Sequence, residues 1–354
     1  MDNSIVISTP PHVKTKQTTK SIMLDVVIAL FPCAICGLVY FGWQALMLEL
    51  VAVASCVASE FVYFFIANKG FSNKCRDAKA VCLRWWKQFD LTSIVTGLIL
   101  ALILPPATAW YVVIIGSIFA IAVVKMFFGG TGKNLVNPAA TGRVFAFLCF
   151  AAIAASTAYT APNFGALMDV ESSFVSSSAT NLAGLLPSKG EPTSNLHILD
   201  LFLGTGVKGC IGETCKLAII VGYIYLCVRN VIKWWQPLLF TAVFGLTAWL
   251  MGGFFYETYT LDIALFLPNI LSGGVLFAAV FMFTDYVTSP KGVIGQIVYL
   301  IVSAIVLALL RYYTHIEVAS FVILLMNLFI PYFDKFLIRK PFGFKREKVQ
   351  KEGK

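Results

Sequence analysis

The stretch Val-Ser-Ser-Ser-Ala-Thr-Asn-Leu occupies residues 175–182, in the only long polar interruption of a strongly apolar sequence. This interruption runs from about residue 156 to residue 215 and separates two hydrophobic halves. The stretch offers serine and threonine hydroxyls but has no histidine or cysteine beside them to activate a catalytic nucleophile. The residues therefore favour a modification or ligand-anchoring site over hydrolysis, with a plain serine-rich linker as the alternative.

The composition of the whole chain is typical of a membrane protein. Of its 354 residues, 58% are hydrophobic and 13% are charged, and the mean hydropathy is +0.82. Soluble domains carry about 25% charged residues, whereas apolar runs close to the ~20 residues that cross a bilayer recur along this chain. We therefore predict an all-α polytopic membrane protein. Its ten spans are expected at about residues 22–40, 43–66, 91–104, 110–128, 138–155, 216–233, 237–252, 262–283, 293–311 and 317–334.

The basic residues are distributed unevenly between the two sides that these spans define. All but four of the 27 lysines and arginines fall in the N-terminal arm, in regions on the same side as that arm, or in the tail after residue 334. The four exceptions are Lys189, Lys208, Lys216 and Arg311. Because cytoplasmic loops carry the excess of basic residues, we predict that both termini are cytoplasmic and that the 156–215 loop faces outward. The net charge of +9 then reflects topology and does not indicate a nucleic-acid partner.

The two hydrophobic halves carry helix-breaking residues at roughly corresponding places. Spans three to five contain Gly97, Pro105-Pro106 and Pro138, and spans eight to ten contain Gly273-Gly274, Pro290 and Pro331. Interrupted helices at matching places in two inverted halves indicate a binding site near the membrane midplane. We therefore divide the chain into an N-terminal arm (1–21), a first five-helix repeat (22–155), the outward loop (156–215), a second, inverted five-helix repeat (216–334) and a basic tail (335–354).

Two glycine-rich segments border the spans. The segment Gly129-Gly-Thr-Gly-Lys-Asn134 resembles a phosphate loop, but no serine or threonine follows the lysine and no strand precedes it. We interpret it as a turn into span five, where Asn134 and Asn137 either hydrogen-bond a heterocyclic ligand or simply cap the helix. The second segment, residues 204–212, has four glycines in nine residues. It either lets the backbone approach a ligand or forms a turn into span six.

Acidic residues in or beside the spans are candidates for an ion path, because charges at membrane depth are costly and usually functional. We give first place to Asp285, at the predicted break of span eight, and to Glu213, beside the outer glycine turn. Asp90 and Asp334 follow, because headgroup water is expected to reach them. The rival interpretation is that each acid caps a helix. The nine cysteines lack zinc-ligand pairing, so we predict no metal site, and the pairing of Cys210 with Cys215 stays open.

Five motifs occur in the order found in one known family. They are Gly129-Gly-Thr-Gly-Lys-Asn-Leu-Val-Asn-Pro-Ala139, Ser177-Ser-Ala-Thr180, Gly209-Cys-Ile-Gly-Glu213, Phe281-Met-Phe-Thr-Asp-Tyr-Val-Thr-Ser-Pro290 and Asn327-Leu-Phe-Ile-Pro-Tyr-Phe-Asp334. Over residues 11–339 the chain resembles the D subunits of the Rnf ion-translocating ferredoxin:NAD oxidoreductases. Those subunits are homologous to the B subunits of the sodium-translocating NADH:quinone reductases. Each motif is short, but their shared order across ten predicted spans makes the resemblance specific.

The resemblance implies a redox role that composition does not reveal. In this family the threonine of a Ser-x-Ala-Thr motif carries FMN through a phosphoester, which a flavin transferase makes from FAD. The motif maps onto Ser177, Ser178, Ala179 and Thr180, with Thr180 as the attachment residue. The family usually has an acid six residues before this threonine, where the present chain has Phe174. A non-covalent riboflavin is implied in the helical core, where Asn134 and Asn137 match the family's asparagines.

The resemblance also implies partners, a location and a fold. The partners are the other membrane and peripheral subunits of a redox-driven pump for Na⁺ or H⁺, including a second FMN-carrying subunit. The location is the bacterial cytoplasmic (inner) membrane, and the fold is similar to that of ammonium and urea transporters. A secondary transporter or channel of that fold without a redox role is the alternative function.

Overall fold

The computed structural model describes residues 17–68, 75–150, 198–204, 209–255, 266–314 and 317–337. Within these ranges the chain is helical and contains no strand. The helices are α1 (Thr19–Phe41), α2 (Trp43–Ala67), α3 (Cys75–Gln88), α4 (Thr92–Leu102), α5 (Trp110–Ile118), α6 (Pro138–Cys149), α7 (Ile198–Leu203), α8 (Lys216–Val228), α9 (Trp235–Phe255), α10 (Phe266–Leu271), α11 (Val275–Phe281), α12 (Val293–Thr314) and α13 (Ala319–Leu337). The helix α5 continues directly into a π-helical segment, Phe119–Met126.

Four helices, α1, α2, α12 and α13, are individually long and apolar enough to cross a membrane. Shorter apolar helices form at α4, at α5 with its π-helical continuation, at α8 and along most of α9. Large apolar side chains such as Phe31, Leu50 and Leu328 are exposed on the long helices, as expected where lipid replaces water. These features confirm the prediction of a helical, multi-pass membrane protein.

Each half of the chain has one helix that packs against several of its neighbours. The helix α2 packs against α4 and α5, and α9 packs against the pair α10–α11 and against α12. The two halves meet where α1 packs on α8 and where α6 packs on α13. Large side chains of the helices α4, α11 and α12, including Leu100, Phe277 and Tyr299, are fully buried in the core.

Span eight is not one helix but two short ones, α10 and α11, separated by residues 272–274. Gly273 adopts a φ of +63°, which favours glycine. A Cβ on Gly274 would collide with the Glu213 carboxylate. The sequence analysis placed the break of this span at Asp285, and that prediction is wrong. The break occurs where two consecutive glycines let charged side chains approach the backbone, and Asp285 lies in the turn after α11.

The end of the loop that is predicted to face outward is buried rather than exposed. All residues from 209 to 216 are buried, and the turn hydrogen-bonds the end of α4 through Ile211 N to Leu104 O (3.3 Å) and Gly212 N to Leu102 O (2.8 Å). A Cβ on Gly212 would lie 2.7 Å from Leu102 Cβ. The glycines therefore allow close backbone approach within the protein, and the segment is the turn that leads into α8.

One helix was missed. The sequence predicted no helix between the spans at 43–66 and 91–104, whereas Cys75–Gln88 forms α3. The segment has no continuous apolar run, so it does not register as a span. Its apolar residues instead recur at helical spacing, and Trp85 packs edge-to-face on Phe61 of α2 with ring centroids 5.1 Å apart.

Candidate functional site

A cavity of about 100 Å³ lies between the two halves of the chain. One wall is apolar and includes Val95 and Ile99 of α4 and Val280 and Phe281 of α11. Its polar lining residues are Thr92, Thr96, Lys125, Thr131, Asn134, Asn137, Thr284 and Asp285. The cavity therefore offers both apolar side chains and hydrogen-bonding groups.

Asn134 and Asn137 both line this cavity, on the turn that leads into α6. The Asn137 side-chain oxygen accepts from the backbone N–H groups of Ala139 (3.1 Å) and Ala140 (3.2 Å), which makes Asn137 the N-cap of α6. The capping interpretation is therefore correct for Asn137. Asn134 donates from Nδ2 to the Val136 carbonyl at 3.2 Å.

A buried ion pair lies at the polar end of the cavity. The Lys125 ammonium is 3.3 Å from Glu60 Oε1 and 3.0 Å from Ser93 Oγ. Ser93 also donates a hydrogen bond to Glu60, and Lys125 donates to Thr92. The pair connects α2, α4 and the π-helical end of α5. Such a charge is tolerated inside the protein because its partner and hydroxyl groups replace water.

Asp90 extends this polar network to the start of α4. Its carboxylate accepts hydrogen bonds from the Thr92 backbone N–H at 3.2 Å and from the Thr92 hydroxyl. Burial by itself raises the pKa of Asp90, but the hydrogen bonds from Thr92 and Thr131 and the nearby Lys125 ammonium outweigh it, so the pKa lies below its ordinary value. Asp90 is therefore held ionised beside the cavity.

A second group of charges, the central charge cluster, surrounds the break between α10 and α11. Its members are Arg143, Glu213, Lys216, Arg311 and Glu317, all at most 5% exposed. Arg143 lies 3.6 Å from Glu213, and Lys216 donates to the Gly273 carbonyl at 2.9 Å. Arg311 donates to the Ser272 carbonyl at 3.1 Å. Within the described residues, Glu213 Oε2 and both Glu317 carboxylate oxygens lack a hydrogen-bond partner.

The four predicted ion-path residues occupy three different places. Asp285 lines the cavity and accepts from the Thr288 hydroxyl at 2.8 Å, and Asp90 contacts the same cavity through Thr92. Glu213 belongs to the central charge cluster. Asp334 lies near the end of α13, where it accepts from the Lys291 backbone N–H at 2.9 Å. The structure therefore does not bring these acids together into one site.

Other site predictions have mixed outcomes. Ser177, Ser178, Ala179 and Thr180 lie outside the described residues. Cys210 and Cys215 are both buried free thiols, and the described part of the chain has no cluster of metal-ligating side chains. Sequence reasoning missed Arg143, Arg311 and Glu317 as members of a buried cluster. The paired glycines at 273–274 were the available signal, because they leave room for the carboxylates of Glu213 and Glu317.

The basic-residue argument for topology needs one correction. Arg143 was counted with the cytoplasmic residues, but it is buried beside Glu213 and Ser320, and Lys125 is buried beside Glu60. On the opposite side, Lys216 and Arg311 are buried as well. When these four buried residues are left out of the count, most of the remaining basic residues still lie on the predicted cytoplasmic side.

Residues 6–343 match the model of the NQR2, RnfD, RnfE family. The chain belongs to this family. A relative from Acetobacterium woodii, named as the D subunit of a Na⁺-translocating ferredoxin:NAD⁺ oxidoreductase complex, is 36% identical over 99% of this chain and 98% of its own length. A relative from Clostridium ljungdahlii, named as the D subunit of a proton-translocating complex of the same kind, is 31% identical over 97% and 98%. A third, from Stutzerimonas stutzeri, is named as the D subunit of an ion-translocating oxidoreductase complex and is 30% identical over 93% of both chains.

Proposed function

We propose that this chain is the membrane flavoprotein subunit of an Rnf-type ferredoxin:NAD⁺ oxidoreductase, relaying electrons through covalent FMN and bound riboflavin while the complex translocates Na⁺ or H⁺. The observation that carries the proposal is end-to-end similarity to named D subunits, with 36% identity over 99% of the chain. That similarity makes the chain a subunit of an ion-translocating oxidoreductase and implies the other Rnf subunits as partners. The flavins, the order of electron transfer and the coupling ion are the proposed part.

Thr180 is the proposed attachment residue for FMN. Its hydroxyl attacks the FAD pyrophosphate, so that FMN is joined to the threonine oxygen and AMP leaves. The chain needs no base of its own, because a flavin transferase supplies the catalysis. The departure from the family at Phe174 concerns recognition by that transferase and leaves the hydroxyl nucleophile in place.

The cavity is the proposed riboflavin site. Its apolar wall, at Val95, Ile99 and Phe281, suits a planar ring system, and its polar rim offers amide and hydroxyl groups to the ring edge and the side chain. When bound there, riboflavin supplies one- and two-electron redox chemistry. The chain's own residues position the ring, exclude water on the apolar side and hold the Lys125–Glu60 pair beside it.

Ten spans in two inverted repeats are the proposed architecture. The matching packing of α2 on α4 and α5, and of α9 on α10–α11 and α12, supports this arrangement. The contacts of α1 with α8 and of α6 with α13 then relate equivalent helices across a pseudo-twofold axis. The alternative function, a solute carrier or channel without redox activity, shares this architecture, so fold alone does not choose between them.

The flavin content and the activity of the complex distinguish these two functions. Membranes that contain the complex should reduce NAD⁺ with reduced ferredoxin, and this chain should fluoresce as a flavoprotein after denaturing electrophoresis. If the chain carried no flavin and mediated solute uptake by itself, the redox function would be rejected in favour of the transporter function.

The proposed topology has cytoplasmic termini and an extracytoplasmic 156–215 loop. In a background where Cys75, Cys82 and Cys149 are replaced by serine, a cysteine at Ser188 should react with a membrane-impermeant maleimide in intact cells, because most basic residues lie on the opposite, cytoplasmic side. A cysteine at Lys79 on α3 should react only after the cells are opened. Labelling of Lys79→Cys together with protection of Ser188→Cys would reverse the topology.

Asp285 is the strongest candidate for the ion path, because it lines the cavity and offers oxygen ligands of the kind that hard cations prefer. Asp285→Asn should raise the Na⁺ or H⁺ concentration for half-maximal turnover about tenfold, which corresponds to about 1.4 kcal/mol. Turnover per mole of covalent flavin, titrated against Na⁺ at fixed pH and against pH at fixed Na⁺, measures the effect. Asp77→Asn on α3 is the control.

Glu213 needs a separate test because it holds Arg143 in the central charge cluster. Removing one member of a buried pair costs about 3–5 kcal/mol, so Glu213→Ala should reduce the amount of assembled complex. Glu213→Gln retains the side-chain volume and should restore assembly while turnover stays impaired. Unchanged ion titrations for both Asp285→Asn and Glu213→Gln would remove the two residues from the path.

A further inference from the structure

The helix α3 presents three different faces along its described side chains, residues 79–88. At about 100° per residue, the described side chains fall into three sectors, the first of which contains Val81 and Trp85. The second sector contains Lys79, Cys82, Leu83 and Trp86. The third sector contains Arg84, Lys87 and Gln88. The first sector contacts protein, since Val81 is 4% exposed and Trp85 packs on Phe61. The second and third sectors are exposed.

The second sector exposes large apolar side chains. Leu83 is 63% exposed and Trp86 is 70% exposed. Both belong to a helix whose neighbour α2 is a candidate membrane span and carries exposed apolar residues of its own, such as Val62 and Ile66. A short helix with an apolar sector and a tryptophan beside a span has the form of an interfacial helix.

The third sector is basic. Arg84 and Lys87 are exposed within it, and Lys79 lies at the centre of the apolar sector, where its long side chain reaches outward to water. Lys20 adds a further cation at the end of α3, because its ammonium donates to the Lys87 carbonyl at 3.2 Å. The described side chains of α3 include no acidic residue.

We infer that α3 lies in the cytoplasmic membrane interface and binds the headgroups of anionic phospholipids through Lys79, Arg84 and Lys87. An anionic membrane surface can contact both exposed sectors at once. The apolar side chains insert at the boundary between headgroups and acyl chains, and the phosphate groups at that boundary bind the cations. An acidic soluble protein would complement the basic sector but leave Leu83 and Trp86 in need of a second partner. The inference rests on the proposed topology, in which α3 is cytoplasmic.

Photo-crosslinking from α3 tests this inference in the assembled complex. A benzophenone amino acid replaces Leu83, and the complex is reconstituted in vesicles of equal parts phosphatidylglycerol and phosphatidylethanolamine. We expect lipid adducts on this chain, with phosphatidylglycerol enriched about threefold or more, since each basic residue near an anionic surface contributes about fivefold to association. The adducts are identified by mass spectrometry of the purified chain.

Two variants show whether the cations cause the enrichment. In an Arg84→Gln, Lys87→Gln background the lipid adducts should remain while the preference for phosphatidylglycerol falls at least twofold, because Lys79 is the only one of the three cations left. The same pair of changes at Lys345 and Arg346 in the basic tail is the matched control and should leave the preference unchanged. Covalent flavin measured on the same samples reports the proposed redox function separately.

Three outcomes would overturn the inference. Crosslinks from position 83 to another protein subunit would identify a protein partner in place of lipid. Equal capture of the two lipids by the unaltered helix would remove the headgroup preference. Reaction of Lys79→Cys with the impermeant maleimide in intact cells would place α3 on the other side, while leaving the flavin proposal intact.

Discussion

Thr180→Val should abolish the flavin fluorescence of this chain after denaturing electrophoresis. The substitution removes the only oxygen to which the proposed phosphoester can attach, and valine has nearly the same shape as threonine. Thr180 lies in the polar stretch between the two hydrophobic halves, outside the predicted spans. The complex should assemble in normal amounts but lose electron transfer from ferredoxin to NAD⁺.

The matched control for this experiment is Thr193→Val in the same loop, which keeps the hydroxyl of Thr180. It should retain both the fluorescent band and the turnover of the complex. Ser178→Ala tests recognition by the transferase, and it should lower the extent of labelling without changing the residue that is labelled. A fluorescent Thr180→Val chain would reject Thr180 as the attachment residue.

The combined variant Asn134→Leu, Asn137→Ser should release the non-covalent riboflavin while the covalent FMN remains. Both asparagines line the cavity, and the two changes remove both amide groups from it. Serine is a good N-cap, so the start of α6, which Asn137 stabilises through Ala139 and Ala140, should be preserved. The measurement is the ratio of acid-extractable riboflavin to covalent FMN, which should fall by about tenfold or more.

Controls for this second experiment separate ligand binding from folding. Asn137→Ser alone should cause only partial loss, because Asn134 remains. Ser55→Ala lies in a separate surface depression on α2 and should leave riboflavin in place. Full riboflavin content in the double variant would move the flavin out of this cavity.

The sequence predicted the spans well because hydrophobic length is a strong and local signal. Helices α1, α2, α12 and α13 fall within a few residues of their predicted bounds. It also indicated Asn137 at the entry to span five, since an asparagine before proline is a typical start of a helix. These features depend on neighbouring residues alone.

The central charge cluster was not predictable in the same way. Arg143, Arg311 and Glu317 come from three separate segments. They are brought together only by the packing of α6, α10–α11, α12 and the turn at residues 209–216. The break of span eight was misplaced for a related reason. Gly273 and Gly274 were recognised as breakers, but what makes them the site of the break is the approach of Glu213 and Glu317.

The position of the cluster has a consequence for coupling. It surrounds the break at residues 272–274, and α11 runs from this break to the cavity wall at Val280 and Phe281. The short helix α11 therefore extends from the cluster to the cavity, which is the riboflavin site in the proposed pump.

The central claim is that this chain carries a redox flavin on its outward loop. It is tested most directly by mass spectrometry of the proteolytic peptide containing residues 175–182, prepared from complex purified from its native host. The account predicts that this peptide carries the mass of one FMN phosphoester and that fragmentation places it on Thr180. An unmodified Thr180 in complex that is active in ferredoxin-dependent NAD⁺ reduction would contradict the account.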